Sequence, residues 1–241
     1  MKNNMKKYPL FLLVFISCLT FNGFAQNKNA IKVNLPALVI RNISVQYERQ
    51  ISPKSSVAIA FRTLPYGKLP FANTIADIVD NSYVQFDKMN VGSFGVTPEI
   101  RFYLSKKGAM RGFYLAPFAN FSTYKSDLPI EFNNRTGSFN GKVSTITGGL
   151  QLGSQFRLSN SLSLDWWIIG PNYGGASGDM NFIGALSSSE QAELRTRLEE
   201  IKQDAPLNII ESYTVTGNGA SIQVKGPWAG VRGGLNLAFH F

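Results

Sequence analysis

Apolar and polar residues alternate with a period of two along most of this chain. Ile31, Val33 and Leu35 alternate with Lys32 and Asn34, and Ile43, Val45 and Tyr47 with Ser44, Gln46 and Glu48. Val57, Ile59 and Phe61 face away from Ala58, Ala60 and Arg62. The run 94–104 sets Phe94, Val96, Pro98, Ile100, Phe102 and Leu104 against Gly95, Thr97, Glu99, Arg101 and Tyr103. Residues 113–124 form a strand by composition, with Phe113, Leu115, Ala119 and Phe121 on the apolar side. Ile146, Leu150, Leu152, Phe156 and Leu158 alternate with Thr147, Gly149, Gln151, Gln155 and Arg157. Leu162, Leu164, Trp166 and Ile168 alternate with Ser163, Asp165 and Trp167, and Val231, Leu235, Leu237, Phe239 and Phe241 with Arg232, Asn236 and His240. Side chains on successive strand residues point to opposite faces, so each run reads as a strand with two unlike faces.

Eight such strands are counted. The connections at 52–56, 105–112 and 159–161 are short, and those at 65–90, 125–141 and 171–225 are long. The first link, near 37–41, is short although it falls at the long-loop end. This layout predicts an all-β fold: an eight-stranded antiparallel up-and-down transmembrane β-barrel with long extracellular loops. A soluble, lipocalin-like barrel would carry its apolar face inside instead. Two features favour the polar face inside. Gly95, Gly149, Gly153, Gly230 and Gly234 share that face with long charged side chains, and an eight-stranded interior is only wide enough to be filled by side chains. The apolar face carries aromatics towards both ends: Phe102, Phe113, Phe156, Phe239 and Phe241 near the short turns, and Phe61, Phe94, Phe121 and Trp166 near the long connections.

The amino-terminal segment changes the compartment. Lys2, Lys6 and Lys7 precede an apolar run, 8–19, too short to span a membrane comfortably, and Gly23 and Ala25 suit a cut after Ala25. Residues 1–25 are read as a signal peptide and 26–241 as the outer-membrane barrel domain. A lipoprotein cut before Cys18 is the weaker alternative. Cys18 is the single cysteine, so the remaining chain has no disulfide or thiol chemistry. Without the three leader lysines the formal charge falls from +9 to about +6, scattered rather than blocked. That excludes a nucleic-acid stripe.

Three residue sets stand out. Lys32 and the charged residues Glu48, Arg62, Glu99, Arg101, Arg157, Asp165 and Arg232 lie on the polar face; the last seven are expected to form a structural charge network in the lumen. Phe239 and Phe241 end the last strand on alternate positions and resemble the carboxy-terminal signal of outer-membrane proteins that the barrel-assembly machinery reads. Ser187 and Glu190 have capping-box spacing, and Leu194, Leu198 and Ile201 form a narrow stripe, so a helix inside the last long connection is expected, ending before Pro206. A weaker helix is expected near 74–79.

The stretch "IKVNLPALVIRNISVQYERQIS" is similar to the opening of small outer-membrane barrels common in Bacteroidetes, the DUF3575 family. Lys32, Asn34, Leu35, Asn42, Ser44 and Glu48 carry the match, with "FYLAPF" at 113–118 and "GGLQLG" at 148–153. The resemblance implies an outer-membrane barrel of uncharacterised function and supplies no catalytic residues. Segment 171–225 looks like an addition to it.

No catalytic, cofactor or metal set is read. The single histidine, His240, falls at the short-turn rim, far from the outer leaflet, and is expected to hydrogen-bond within the lumen or to water. Glu99 beside Arg101 reads as an ion pair rather than an acid/base pair. The expectation is a non-enzymatic, monomeric outer-membrane protein with a packed polar lumen and a structural or surface-interaction role. Its partners would be outer-membrane lipid, the barrel-assembly machinery and an unidentified extracellular partner, with no nucleic acid. A narrow channel or pathway for small apolar molecules is the first alternative, and an envelope-lipid-modifying enzyme the second.

Overall fold

A computed structural model describes residues 28–72, 88–132, 135–204 and 210–241. The leader read at 1–25 and the weaker helix near 74–79 lie outside them. The strands are β1 (Asn29–Asn34), β2 (Ile43–Gln50), β3 (Ser55–Lys68), β4 (Asn90–Tyr103), β5 (Gly112–Phe132), β6 (Arg135–Arg157), β7 (Leu162–Ile183), β8 (Ile210–Thr216) and β9 (Gly219–His240). Two helices occur among the described residues, α1 (Leu35–Val39) and α2 (Ser188–Asp204). Neither is long and apolar enough to cross a membrane.

Every pairing is antiparallel, and β1 pairs with both β2 and β9, so eight strands close a ring. The ninth, β8, lies outside the ring as a hairpin partner on the upper part of β9. The ring is staggered. Laddered partners lead from Val33 through Val45, Phe61, Val96, Phe121, Ile146 and Gly175 to Pro227. The residue of β9 paired directly with Val33 is Leu237, ten positions further on. Closing a sheet with such a stagger requires tilted strands, at about 35–45° to the axis.

The wall is uneven in height. β1 and β2 have 6 and 8 residues and β3 and β4 have 14 each, whereas β5, β6, β7 and β9 have 21 to 23. This corrects the sequence reading of 125–141 and 171–225 as loops. Residues 125–132, 135–141, 171–183, 210–216 and 219–225 are strand, and apolar alternation missed them because it reports contrast between two faces, not strand itself. The turn between β8 and β9 is the two-residue loop Gly217-Asn218, closed by the pair Thr216 and Gly219, a glycine–asparagine hairpin connection that the alternation did not report.

The first link also differs from expectation. Asn34 caps α1 by accepting from Ala37 N–H at 3.0 Å, Pro36 occupies its first turn, and Arg41 reverses the chain at a φ of +59°. Helix α1 packs against β9. It lies where β9 lacks a ladder partner on that edge: β8 stops at Val224 and β1 begins at Asn236, leaving 225–235 unlaced among the described residues.

The faces follow the parity read from sequence except at a bulge in β7 between Trp167 and Gly170, where Ile169 rather than the expected Ile168 is the exposed residue. Outward side chains around the ring are exposed and apolar, among them Val45, Phe61, Ile100, Phe121, Leu150, Trp166, Leu237 and Phe241. Inward ones are buried and polar, among them Lys32, Gln46, Glu48, Arg101, Gln151, Asp165, Asn236 and His240. At the far tip of the tall sheet the pattern reverses. Phe182, Ile210, Val215, Ala220 and Ile222 are buried on the lumen side and pack with Leu198 and Leu194 of α2. The capping box forms as expected: Ser187 N–H donates to Glu190 at 2.7 Å, and Glu190 N–H donates to the Ser187 hydroxyl at 3.3 Å. Arg195 donates to Val215 C=O at 2.7 Å and the Tyr213 hydroxyl to Glu199 at 2.9 Å, fastening the helix to β8. The side chain of Ile201 lies outside the described residues.

Candidate functional site

The buried charges meet in one cluster in the lower half of the lumen. Strand parity alone turns Lys32 of β1, Glu48 of β2, Glu99 and Arg101 of β4, Asp165 of β7 and Arg232 of β9 inward, and ring closure brings them together. Arg101 is the hub. It donates from Nε to Glu99 at 2.5 Å, from Nη1 to Asp165 at 2.7 Å and Glu48 at 3.2 Å, and from Nη2 to Gln46 at 2.8 Å. Its guanidinium also lies 4.4 Å from the centre of the Tyr114 ring. Lys32 donates to Asp165 at 2.6 Å and to Gln155 at 3.2 Å, and pairs with Glu48. Arg232 pairs with the second oxygen of Glu99 and covers the Trp167 ring at 3.8 Å.

Neutral donors complete the carboxylates. Tyr103 donates to Glu48 at 2.6 Å, Tyr114 to Asp165 at 2.8 Å and the Trp167 indole to Asp165 at 3.2 Å, while Ser56 donates to Glu48. Three cations therefore face three carboxylates, and Lys32, Glu48, Arg101 and Asp165 are fully buried. A buried charge is tolerable only when paired and hydrogen-bonded, and this set is balanced.

Glycines make the space. A Cβ on Gly153 would come within 2.3 Å of the Tyr114 ring, and one on Gly149 within 2.7 Å of the Phe118 ring. Each ring thus occupies the space beside the glycine paired with it on β6. Below the cluster, Met110 of the turn between β4 and β5 is buried and Ala109 packs against the Tyr103–Tyr114 group.

Of the seven residues expected to form the network, five meet: Glu48, Glu99, Arg101, Asp165 and Arg232. Arg62 and Arg157 share the inward face but stand apart along the axis. Arg62 donates to the Tyr124 hydroxyl at 3.3 Å, above the cluster. Arg157 donates to the carbonyls of Ser159 and Asn160 at 3.2 and 2.7 Å, near the short turns. Lys32 was left out of the expected network although its parity was read as polar. Its partner Asp165 is 133 residues away, and only closure of β1 onto β9 beside β7 unites them. Tyr103, Tyr114 and Trp167 were missed because the inward face was traced by charge alone.

His240 is buried beside Ser163, its Nε2 2.7 Å from Oγ. Its Nδ1 faces Arg157 Nη1 at 3.1 Å. A guanidinium only donates, so Nδ1 faces a donor, while Nε2 lies between the Ser163 hydroxyl and the Gln155 amide nitrogen, 3.4 Å away. Phe239 and Phe241 lie outward and exposed, their ring centres 6.5 Å apart. Among the described residues, no group of three or more His, Cys, Asp or Glu is placed to hold a metal ion.

The family model described as "Protein of unknown function (DUF3575)" matches residues 10–177. The match ends within β7, so α2, β8 and β9 lie beyond it. No curated protein and no solved structure matches the chain.

Proposed function

Since this chain belongs to the DUF3575 family, whose description assigns no role, we propose one from the barrel itself: a monomeric, non-enzymatic outer-membrane protein with a filled lumen and a tall extracellular rim for structure or surface interaction. One observation carries the membrane reading, an inversion of polarity along single strands. On β7 the outward residues are Leu162, Leu164 and Trp166 below and Ser177 and Asp179 above; the inward ones are Ser163 and Asp165 below and Phe182 above. On β9 the outward residues are Lys225 and Gln223 above and Leu235, Leu237 and Phe239 below, while inward Ile222 gives way to Asn236 and His240. A barrel wholly in water has no reason to reverse both faces at one height. A wall that leaves lipid for water does, because the outer face must match its solvent at each level.

The apolar stretch fits this reading in length. On β9 it runs from Val231 to Phe241, matching the roughly 9–11 residues of a tilted membrane strand. Outer-membrane lipid is then the partner of that band, and Phe239 and Phe241 the signal for the assembly machinery. The balanced ion cluster supports a lumen that passes no solute, and the burial of His240 among Arg157, Ser163 and Gln155 inside the wall supports a non-catalytic role. The unlaced edge 225–235 favours a second reading, lateral passage of a small apolar molecule through the upper wall.

The chain has no cysteine beyond residue 18, so single cysteines can map the boundary. In intact cells a membrane-impermeant maleimide should label Lys142→Cys and Asp179→Cys and spare Leu150→Cys and Leu237→Cys until denaturation. Equal labelling of all four in a soluble fraction would sink the membrane reading.

A further inference from the structure

Lys125 of β5 and Lys142 of β6 are directly paired across the ladder on the outward face. Side chains so placed have Cβ atoms about 4.5–5.5 Å apart, and like charges there repel. Both are exposed; Lys142 also faces Asp179 across the ladder to β7, but neither lysine is in ion-pair contact with a described carboxylate. Beside them opens a cleft of about 410 Å³ lined by Lys142, Ser144, Ser177, Asp179, Glu211 and Gln223. The Glu211–Lys225 pair at its edge is long, at 3.8 Å, and both side chains are more than half exposed, so it neutralises the site only weakly. Just below the lysine pair comes one row of hydroxyls, Thr123 and Ser144, 3.2 Å apart, and then exposed Phe121 and Ile146.

We propose that this surface binds the headgroup of a phosphorylated glycolipid of the outer leaflet. Lys125 and Lys142 hold the phosphate, Asp179, Glu211 and the serines hydrogen-bond sugar hydroxyls in the cleft, and the acyl chains lie on Phe121 and Ile146. A phosphate between the lysines turns an unfavourable pair into two charge-assisted contacts. The step from lysines to apolar side chains is four residues along a strand, about 13 Å. Only an amphiphile with its charge at that distance from its tails satisfies both. This inference rests on the membrane reading above.

The full-length chain, purified in micelles, is mixed with a diphosphorylated acyl-disaccharide and, separately, with its dephosphorylated form. Native mass spectrometry counts the lipid retained. A preference of at least ten-fold for the phosphorylated form is expected, and Lys125→Gln with Lys142→Gln should erase it. In glycolipid-free detergent that double variant should melt no lower than the wild type. Lys125→Glu, which replaces the repulsion by an ion pair, should fold and also lose the preference. Equal retention of both lipids by the wild type, a preference that survives in the variants, or equally tight binding of inorganic phosphate alone would overturn the assignment. Flotation with vesicles comes first: a protein that does not float overturns the membrane reading, whereas one that floats without discriminating overturns only the glycolipid site.

Discussion

The lumen and the tip of the tall sheet lie on the same side of the same strands, yet they are filled by opposite residues. In the lumen Arg101, Lys32, Asp165 and Glu48 are buried against one another. At the tip Phe182, Ile222 and Val215 are buried under Leu198. The backbone cannot account for the difference, since β7 and β9 run through both regions without a break. What changes is the other face of the sheet. Where the outer side chains are apolar, the inner ones are polar and must neutralise each other; where the outer ones are charged, the inner ones are free to form an ordinary core. The comparison teaches that an interior is defined by what its sheet turns away from.

The two interiors should respond differently to damage. The largest effect is expected from Arg101→Leu, which leaves Glu48, Glu99 and Asp165 facing two cations. Breaking a buried ion pair costs about 3–5 kcal/mol, so the folded band on unboiled gels should be lost or should convert at markedly lower temperature. Phe182→Ala removes the largest side chain of the tip, at about 3 kcal/mol. There the loss should be local: faster proteolysis within 188–204, with the melting of the barrel unchanged. Coupled melting of both regions would show that they are one cooperative unit. Gly153→Ala pushes on the Tyr114 ring, and overpacking of this kind costs about 1–3 kcal/mol; urea titration in detergent should show it in the barrel transition. Ser187→Ala removes a helix cap worth about 1 kcal/mol and should be visible only as faster hydrogen exchange at the start of α2.

The belt and the direction of its side chains were legible because lipid-like and lumen-like faces differ at every second residue. Parity alone placed Glu48, Glu99, Arg101, Asp165 and Arg232 inside. The upper strands were illegible for the same reason. Around Lys125, Lys142 and Asn140 the apolar residues change to the inward face, as Tyr124, Phe139 and Val143, with serine and glycine between them, so the alternation is weak and out of phase with the belt although its hydrogen bonds continue. Lys32 was lost differently: its partners come from β2, β6 and β7, and no local pattern announces a meeting fixed by ring closure. The same holds for Arg62 and Arg157, which share a parity with the cluster but not its height.

Ring closure also dictates an order of events. Asn29 N–H donates to Phe241 C=O at 3.1 Å and Phe241 N–H to Asn29 C=O at 3.0 Å, across 212 residues of sequence. The tip core draws on hairpins much closer together, from β6 to β9. Contacts this remote are formed slowly, because the chain entropy between them is lost before they reward it. β1 offers only six residues to that last pairing, and one of them is Lys32, whose carboxylate on β7 is out of reach until the ring shuts. Sealing the wall and cancelling the final charge inside it are therefore a single kinetic step, and a barrel halted before it would hold one uncompensated carboxylate and an open flank together.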